Sequence, residues 1–135
     1  MMRLRQWLPW AIFVGFAVFL SFVIRIANTG QGGRYWSFLD RIPYGDKLGH
    51  MLLMGTLCFL LNMALRCRTV PLGGEVRIFL GTLLVALFVL GEEISQIFLP
   101  SRTFDFVDLL ADAIGIALAS WLAWMLFGKR RDAAV

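Results

Sequence analysis

The chain has 135 residues, 59% hydrophobic and 16% charged, with a formal net charge of +4. A soluble domain carries roughly a quarter charged residues, so an ordinary soluble fold is excluded and one small integral membrane domain, residues 1–135, is expected. The basic excess does not point to nucleic acid, because it sits in short groups beside apolar runs, such as Arg3/Arg5 and Lys129-Arg130-Arg131, as orientation signals do.

Taken in chain order, the first apolar segment predicts a helix over residues 7–27, with Pro9 in its first turn and tryptophans at its entrance. The run Leu8 to Ile24 is long enough to span, and cleavage after Ala27 would place Arg25 where a small residue is wanted, so the segment is expected to be retained. Residues 28–45 form an outer loop: Asn28 to Gly33 breaks the helix, and Tyr35, Trp36, Phe38 and Tyr44 among charged residues predict a short interfacial segment over the site.

The second helix is expected at 46–65, capped by Asp46. A loop with Pro71 and Gly73-Gly74 leads to a third helix at 76–99, stopped by Pro100. Its apolar centre is short for a span, and Glu92 to Leu99 extends it only if Glu93 and Gln96 face protein or water. The fourth helix is expected at 104–127, capped by Thr103, with small residues from Ala111 to Ser120 for close packing. Cys58 falls within the second expected helix and Cys67 just beyond its inner end; nine positions apart along one helix they would make poor disulfide partners, and a packing role is expected for both. Asn62 is expected to hydrogen-bond a neighbouring helix.

The pattern is therefore all-α: a polytopic membrane protein with a compact bundle of four transmembrane helices. Lys and Arg number eight near the termini's side and five on the other, which predicts both termini inside (N-in/C-in). Seven of the nine acidic residues then fall toward the outer side.

Several of these lie inside helices. Asp105, Asp108 and Asp112 are three and four apart and share one helix face; Glu93 and Gln96 are one turn apart, as are Lys47 and His50. Ionisable groups are expensive in hydrocarbon, so a shared polar layer is expected, to which Arg25 at the end of the first helix also belongs. His50, Glu93, Asp108 and Asp112 are the candidate catalytic residues, as acids or bases. Arg25, Lys47, Gln96, Arg102 and Asp105 are the candidate substrate-binding residues, the bases holding a phosphate and Gln96 orienting it. A divalent cation held by the aspartates with His50 or Glu93 is a further option, the spacing being permissive without forming a recognised metal box. A buried network that only fixes helix packing explains the same residues structurally.

The order Asp46-Lys47-Leu48-Gly49-His50, Gly91-Glu92-Glu93-Ile94-Ser95-Gln96, Pro100-Ser101-Arg102 and Asp105-Phe106-Val107-Asp108-Leu109-Leu110-Ala111-Asp112-Ala113-Ile114-Gly115 resembles the VanZ-like membrane protein family, whose namesake is associated with resistance to the glycopeptide teicoplanin. The resemblance covers about residues 46–115. It implies a small multi-pass protein of the bacterial plasma membrane whose polar motifs meet at the outer side. It also makes a lipid or polyprenyl-linked envelope molecule the expected partner, bound at the outer leaflet, with its chemical alteration an open enzymatic version of the same reading. The family usually has Asn where this chain has Asp112, and a carboxylate there adds proton or cation handling. The alternatives are a noncatalytic binding or shielding protein affecting glycopeptide susceptibility, and a proton- or ion-coupled transporter.

Overall fold

The computed structural model describes residues 2–128; the side chains of Arg3, Arg5 and Asp40, and Lys129, Arg130 and Arg131 entirely, lie outside the described residues. The described chain is mostly helical. In order it forms α1 (Met2–Asn28), α2 (Gly32–Trp36), a 3₁₀ turn (Leu39–Arg41), α3 (Gly45–Ala64), strands β1 (Thr69–Gly73) and β2 (Val76–Phe79), α4 (Leu80–Gln96) and α5 (Phe106–Ala123), which continues into a π turn (Trp124–Gly128).

Among the described residues, three stretches are long and apolar enough to cross a bilayer: Gln6–Asn28, Gly45–Ala64 and Phe106–Gly128. α4 is shorter, its 17 residues rising about 25 Å.

α3 and α5 run side by side in the same direction, so that Lys47 meets Asp105, His50 meets Asp112 and Cys58 meets Ser120. Their backbones nearly touch. A Cβ on Gly55 would lie 2.9 Å from the Gly115 carbonyl oxygen, and one on Gly115 would run into the Met51 carbonyl oxygen. Two glycines thus do what small residues do between membrane helices, exchanging side-chain volume for close approach. α4 runs the opposite way: its first turn packs on the last turns of α3, and a Cβ on Gly81 would strike the Asn62 side chain. Here Thr82 joins three helices, receiving a hydrogen bond from Asn62 Nδ2 at 3.0 Å and sharing one with Ser120 Oγ at 2.7 Å. Asn62 thus has the interhelical role expected of it.

α1 leans on α3 and α4 through Phe13, Phe16, Ala17, Leu20 and Ile24. Among its described side chains only Leu20 is buried, and the rest of the helix is an apolar exterior. Gly30, at φ +74°, breaks the chain away after α1 in a left-handed conformation that glycine adopts without strain.

Several local expectations differ. Residues 76–79, expected to open the third helix, instead pair antiparallel with β1, Val70 opposite Ile78 and Thr69 opposite Phe79. β-branched residues on both sides of Gly73-Gly74 favour a hairpin. α4 ends at Gln96, before Pro100, and Ile97 to Phe104 forms a linker. Neither expected side-chain cap forms: Tyr44 precedes α3 without a side-chain cap and Asp46 pairs with Lys47, while Asp105 rather than Thr103 caps α5, accepting from Val107 N at 2.8 Å. At this position Asp105 serves both the open amides of the helix start and a lysine on α3.

Candidate functional site

The starts of α3 and α5, the end of α4 and the end of α1 come together at one end of the molecule, and the charged residues meet there in two tiers. The outer tier is built on Lys47, whose Nζ lies 2.9 Å from Asp46, 2.6 Å from Asp105 and 2.5 Å from Asp108. The lysine beside Asp105 holds its carboxyl below the usual carboxylate range, helped by the Val107 amide.

The inner tier begins one turn deeper. His50 Nδ1 lies 3.2 Å from one Asp112 oxygen and 3.3 Å from the other, while its Nε2 is 3.7 Å from Asp108. From α4, Gln96 donates to Glu93 Oε1 at 3.0 Å and to Glu92 Oε2 at 2.8 Å, and Arg102 lies 3.9 Å from Glu92. Glu93, Gln96 and Asp112 are each 1% exposed. Helical spacing explains the depth, because the seven residues from Asp105 to Asp112 descend about 10 Å along one face of α5.

Of the nine residues singled out from sequence, eight meet in these tiers: His50, Glu93, Asp108, Asp112, Lys47, Gln96, Arg102 and Asp105. Arg25 does not join them. Its side chain is exposed, and none of the ion pairs among the described residues includes it. Glu92, in contrast, is not among the nine, yet it is half-buried and linked to both Gln96 and Arg102. Gln96 is three residues after Glu93 and four after Glu92, so one side chain reaches both; that spacing is the signal that could have found Glu92.

The lysine and arginine expected to receive a phosphate are engaged by carboxylates. Six carboxylates, Asp46, Glu92, Glu93, Asp105, Asp108 and Asp112, stand against Lys47, Arg102 and the titratable His50 among the described residues of the layer. The arrangement attracts cations, and His50, Glu93 and Asp112 bring one donor atom each to within 4.8 Å of one another.

Beside this layer lies an apolar groove of about 530 Å³ between α1, α2, the 3₁₀ turn and α3. Phe19, Phe22, Trp36 and Phe38 line its walls, and His50, Asp46 and Arg102 line its polar end. A larger recess, about 810 Å³, lies at the opposite end between the hairpin and α5, away from the carboxylates.

No curated protein and no solved structure matches the chain. The VanZ/LLP1 family model matches residues 7–127, taking in every residue of both tiers. With nearly the whole chain matched and three helices apolar enough to span, this is a membrane protein that belongs to the VanZ/LLP1 family.

Proposed function

We propose that this protein crosses the plasma membrane four times, with both termini inside, and binds an amphiphilic envelope molecule at the outer leaflet. The head of that molecule sits at the layer of His50, Glu93, Asp108 and Asp112, and its tail lies in the groove between α1, α2 and α3. The observation that carries the reading is the continuity of the groove: aromatic and aliphatic walls lead to His50, Asp46 and Arg102 without a break. Ligand sites of this kind are mostly apolar with a few polar groups converging at one end.

Four crossings follow if α4 spans with its acids turned inward, since Glu93 and Gln96 are buried while Leu84, Leu87, Phe88, Leu90 and Ile94 face outward. The orientation rests on the Lys and Arg imbalance between the two sides. A phosphate-bearing or polyprenyl-linked molecule remains the class that the family resemblance favours. With Lys47 and Arg102 committed to carboxylates, a phosphate needs a further cation at this layer. His50 and Glu93 are placed for acid–base work on a bound head group, and modification of the molecule is the enzymatic form of the same reading.

The test is native mass spectrometry of protein released from its own membranes. The wild type is expected to carry one amphiphile enriched over bulk lipid. Gly49→Leu, which fills the groove where a Cβ would only just touch Leu39, is expected to lose it. A wild type carrying nothing but lipid in bulk proportions refutes the reading. Membrane lipid profiles that are identical between wild type and Glu93→Gln refute its enzymatic form.

A further inference from the structure

Glu93 and Asp112 are the two deepest carboxylates, and among the described residues they have one imidazole, one side-chain amide and the Asp105 backbone between them, with no lysine or arginine. Lys47 is spent on Asp46, Asp105 and Asp108, and Arg102 reaches Glu92. Charge buried inside a membrane helix bundle is costly without a partner, so this pair calls for a neutralising one. Glu93 Oε1 accepts from Gln96, but Oε2 is fully buried and has no hydrogen-bond partner.

A proton or a metal ion could neutralise the pair. A proton needs only two oxygens, whereas here an imidazole nitrogen from α3, a carboxylate from α4 and a carboxylate from α5 converge within 4.8 Å. The separation of His50 Nδ1 and Asp112 Oδ1, 3.2 Å, is close to the spacing of about 3.3 Å between two ligands of a tetrahedral ion bound at about 2.0–2.1 Å.

We propose that His50, Glu93 and Asp112 bind one divalent transition-metal ion of the zinc class. A nitrogen with two carboxylate oxygens suits such an ion, and three protein ligands leave a fourth position open. His50 also lines the groove. Asp108 lies 3.7 Å from Nε2, beyond hydrogen-bond distance, where its negative charge favours the N–H on that ring nitrogen and leaves the Nδ1 lone pair for the metal. Gln96, bonded to Oε1, holds Glu93 with its second oxygen unengaged. The ion adds two positive charges to an acid-rich layer, which supplies the cation that an anionic head group lacks there. The metal site is argued from these side chains alone and stands whether or not an amphiphile binds.

The experiment uses the full chain, untagged and stripped with chelator, in nanodiscs of zwitterionic lipid, titrated with Zn²⁺ alone. One ion per chain is expected. Glu93→Gln and Asp112→Asn are expected to bind at least about 100-fold more weakly, at or beyond the loss seen when a residue supporting a ligand is removed. Glu75→Gln, which changes an exposed carboxylate in the hairpin turn away from the site, is expected to bind like wild type. X-ray absorption of the zinc-loaded wild type is expected to show one imidazole among oxygen donors. Wild-type binding far below one equivalent, undiminished binding in either folded variant, or an absorption spectrum without imidazole overturns the proposal. The spectrum decides even if both variants fail to fold, and none of these readings involves the amphiphile.

Discussion

The contact between Gly55 and Gly115 gives the sharpest test of how this molecule is held together, through a comparison of three Gly→Ala changes. In a helix interior the change normally stabilises by about 0.5–1 kcal/mol, because alanine loses less backbone freedom on folding. Gly91 on α4 should show that gain, since a Cβ there meets nothing within 4 Å. At Gly115 the new methyl runs into the Met51 carbonyl oxygen, with the Met51 carbonyl carbon at 2.9 Å and Cα at 3.0 Å. A backbone cannot rotate aside as a side chain can, and overpacking of this kind costs about 1–3 kcal/mol. Subtracting the helix gain leaves Gly115→Ala about 0–2.5 kcal/mol less stable than wild type, and about 1–3 kcal/mol below Gly91→Ala because the gain is common to both. Gly55→Ala, whose methyl would lie 2.9 Å from the Gly115 oxygen, should fall between them. Steric-trap or denaturant unfolding in micelles or bicelles resolves such gaps. Gly115→Ala as stable as Gly91→Ala would show that α3 and α5 separate freely, and the assignment of the glycines as the seam would fail. Because Asp112 is one turn from Gly115, the same variant should also lengthen the contact between His50 and Asp112, readable as a changed imidazole resonance.

Two further outcomes follow from the packing and the topology. Thr82→Val removes the hydroxyl joining Asn62 to Ser120 and is expected to cost about 1 kcal/mol, within the range for interhelical hydrogen bonds in membranes; no loss of unfolding free energy would show that the three-helix junction contributes nothing. In intact cells, Ser37→Cys in the exposed loop should react with a membrane-impermeant maleimide while native Cys58 and Cys67, both buried, stay silent; labelling only after the cells are opened would reverse the proposed orientation.

The site's residues were legible because helical spacing is a local property. Asp105, Asp108 and Asp112 share a face in any α-helix, as do Glu93 and Gln96, and the cost of charge in hydrocarbon turns both faces inward. The order of the motifs was enough to suggest the family that the match over residues 7–127 then showed. Glu92 escaped because it does not share the helix face of its neighbour Glu93, although Gln96 sits within reach of both glutamates. Arg25 was over-read: ending a helix at the right level does not aim a flexible side chain inward. The hairpin was written in the β-branched residues around Gly73-Gly74, but the apolar run beginning at Val76 also suits the start of a helix, and pairing with Thr69 and Val70 settled which it became.

By itself, the sequence determined that apolar helices carry acids and bases at one end, since composition and a period of 3.6 residues require nothing beyond the chain. Only the tertiary structure decided which charges neutralise one another. The parallel seating of α3 on α5, set by Gly55 and Gly115, gives Lys47 two carboxylates of α5 beside its neighbour Asp46 and sets Asp112 against His50, while Glu93 on α4 comes to within 4.8 Å of both. Pairing energies fall steeply with distance in a medium of low dielectric, and those distances are created where separate helices meet.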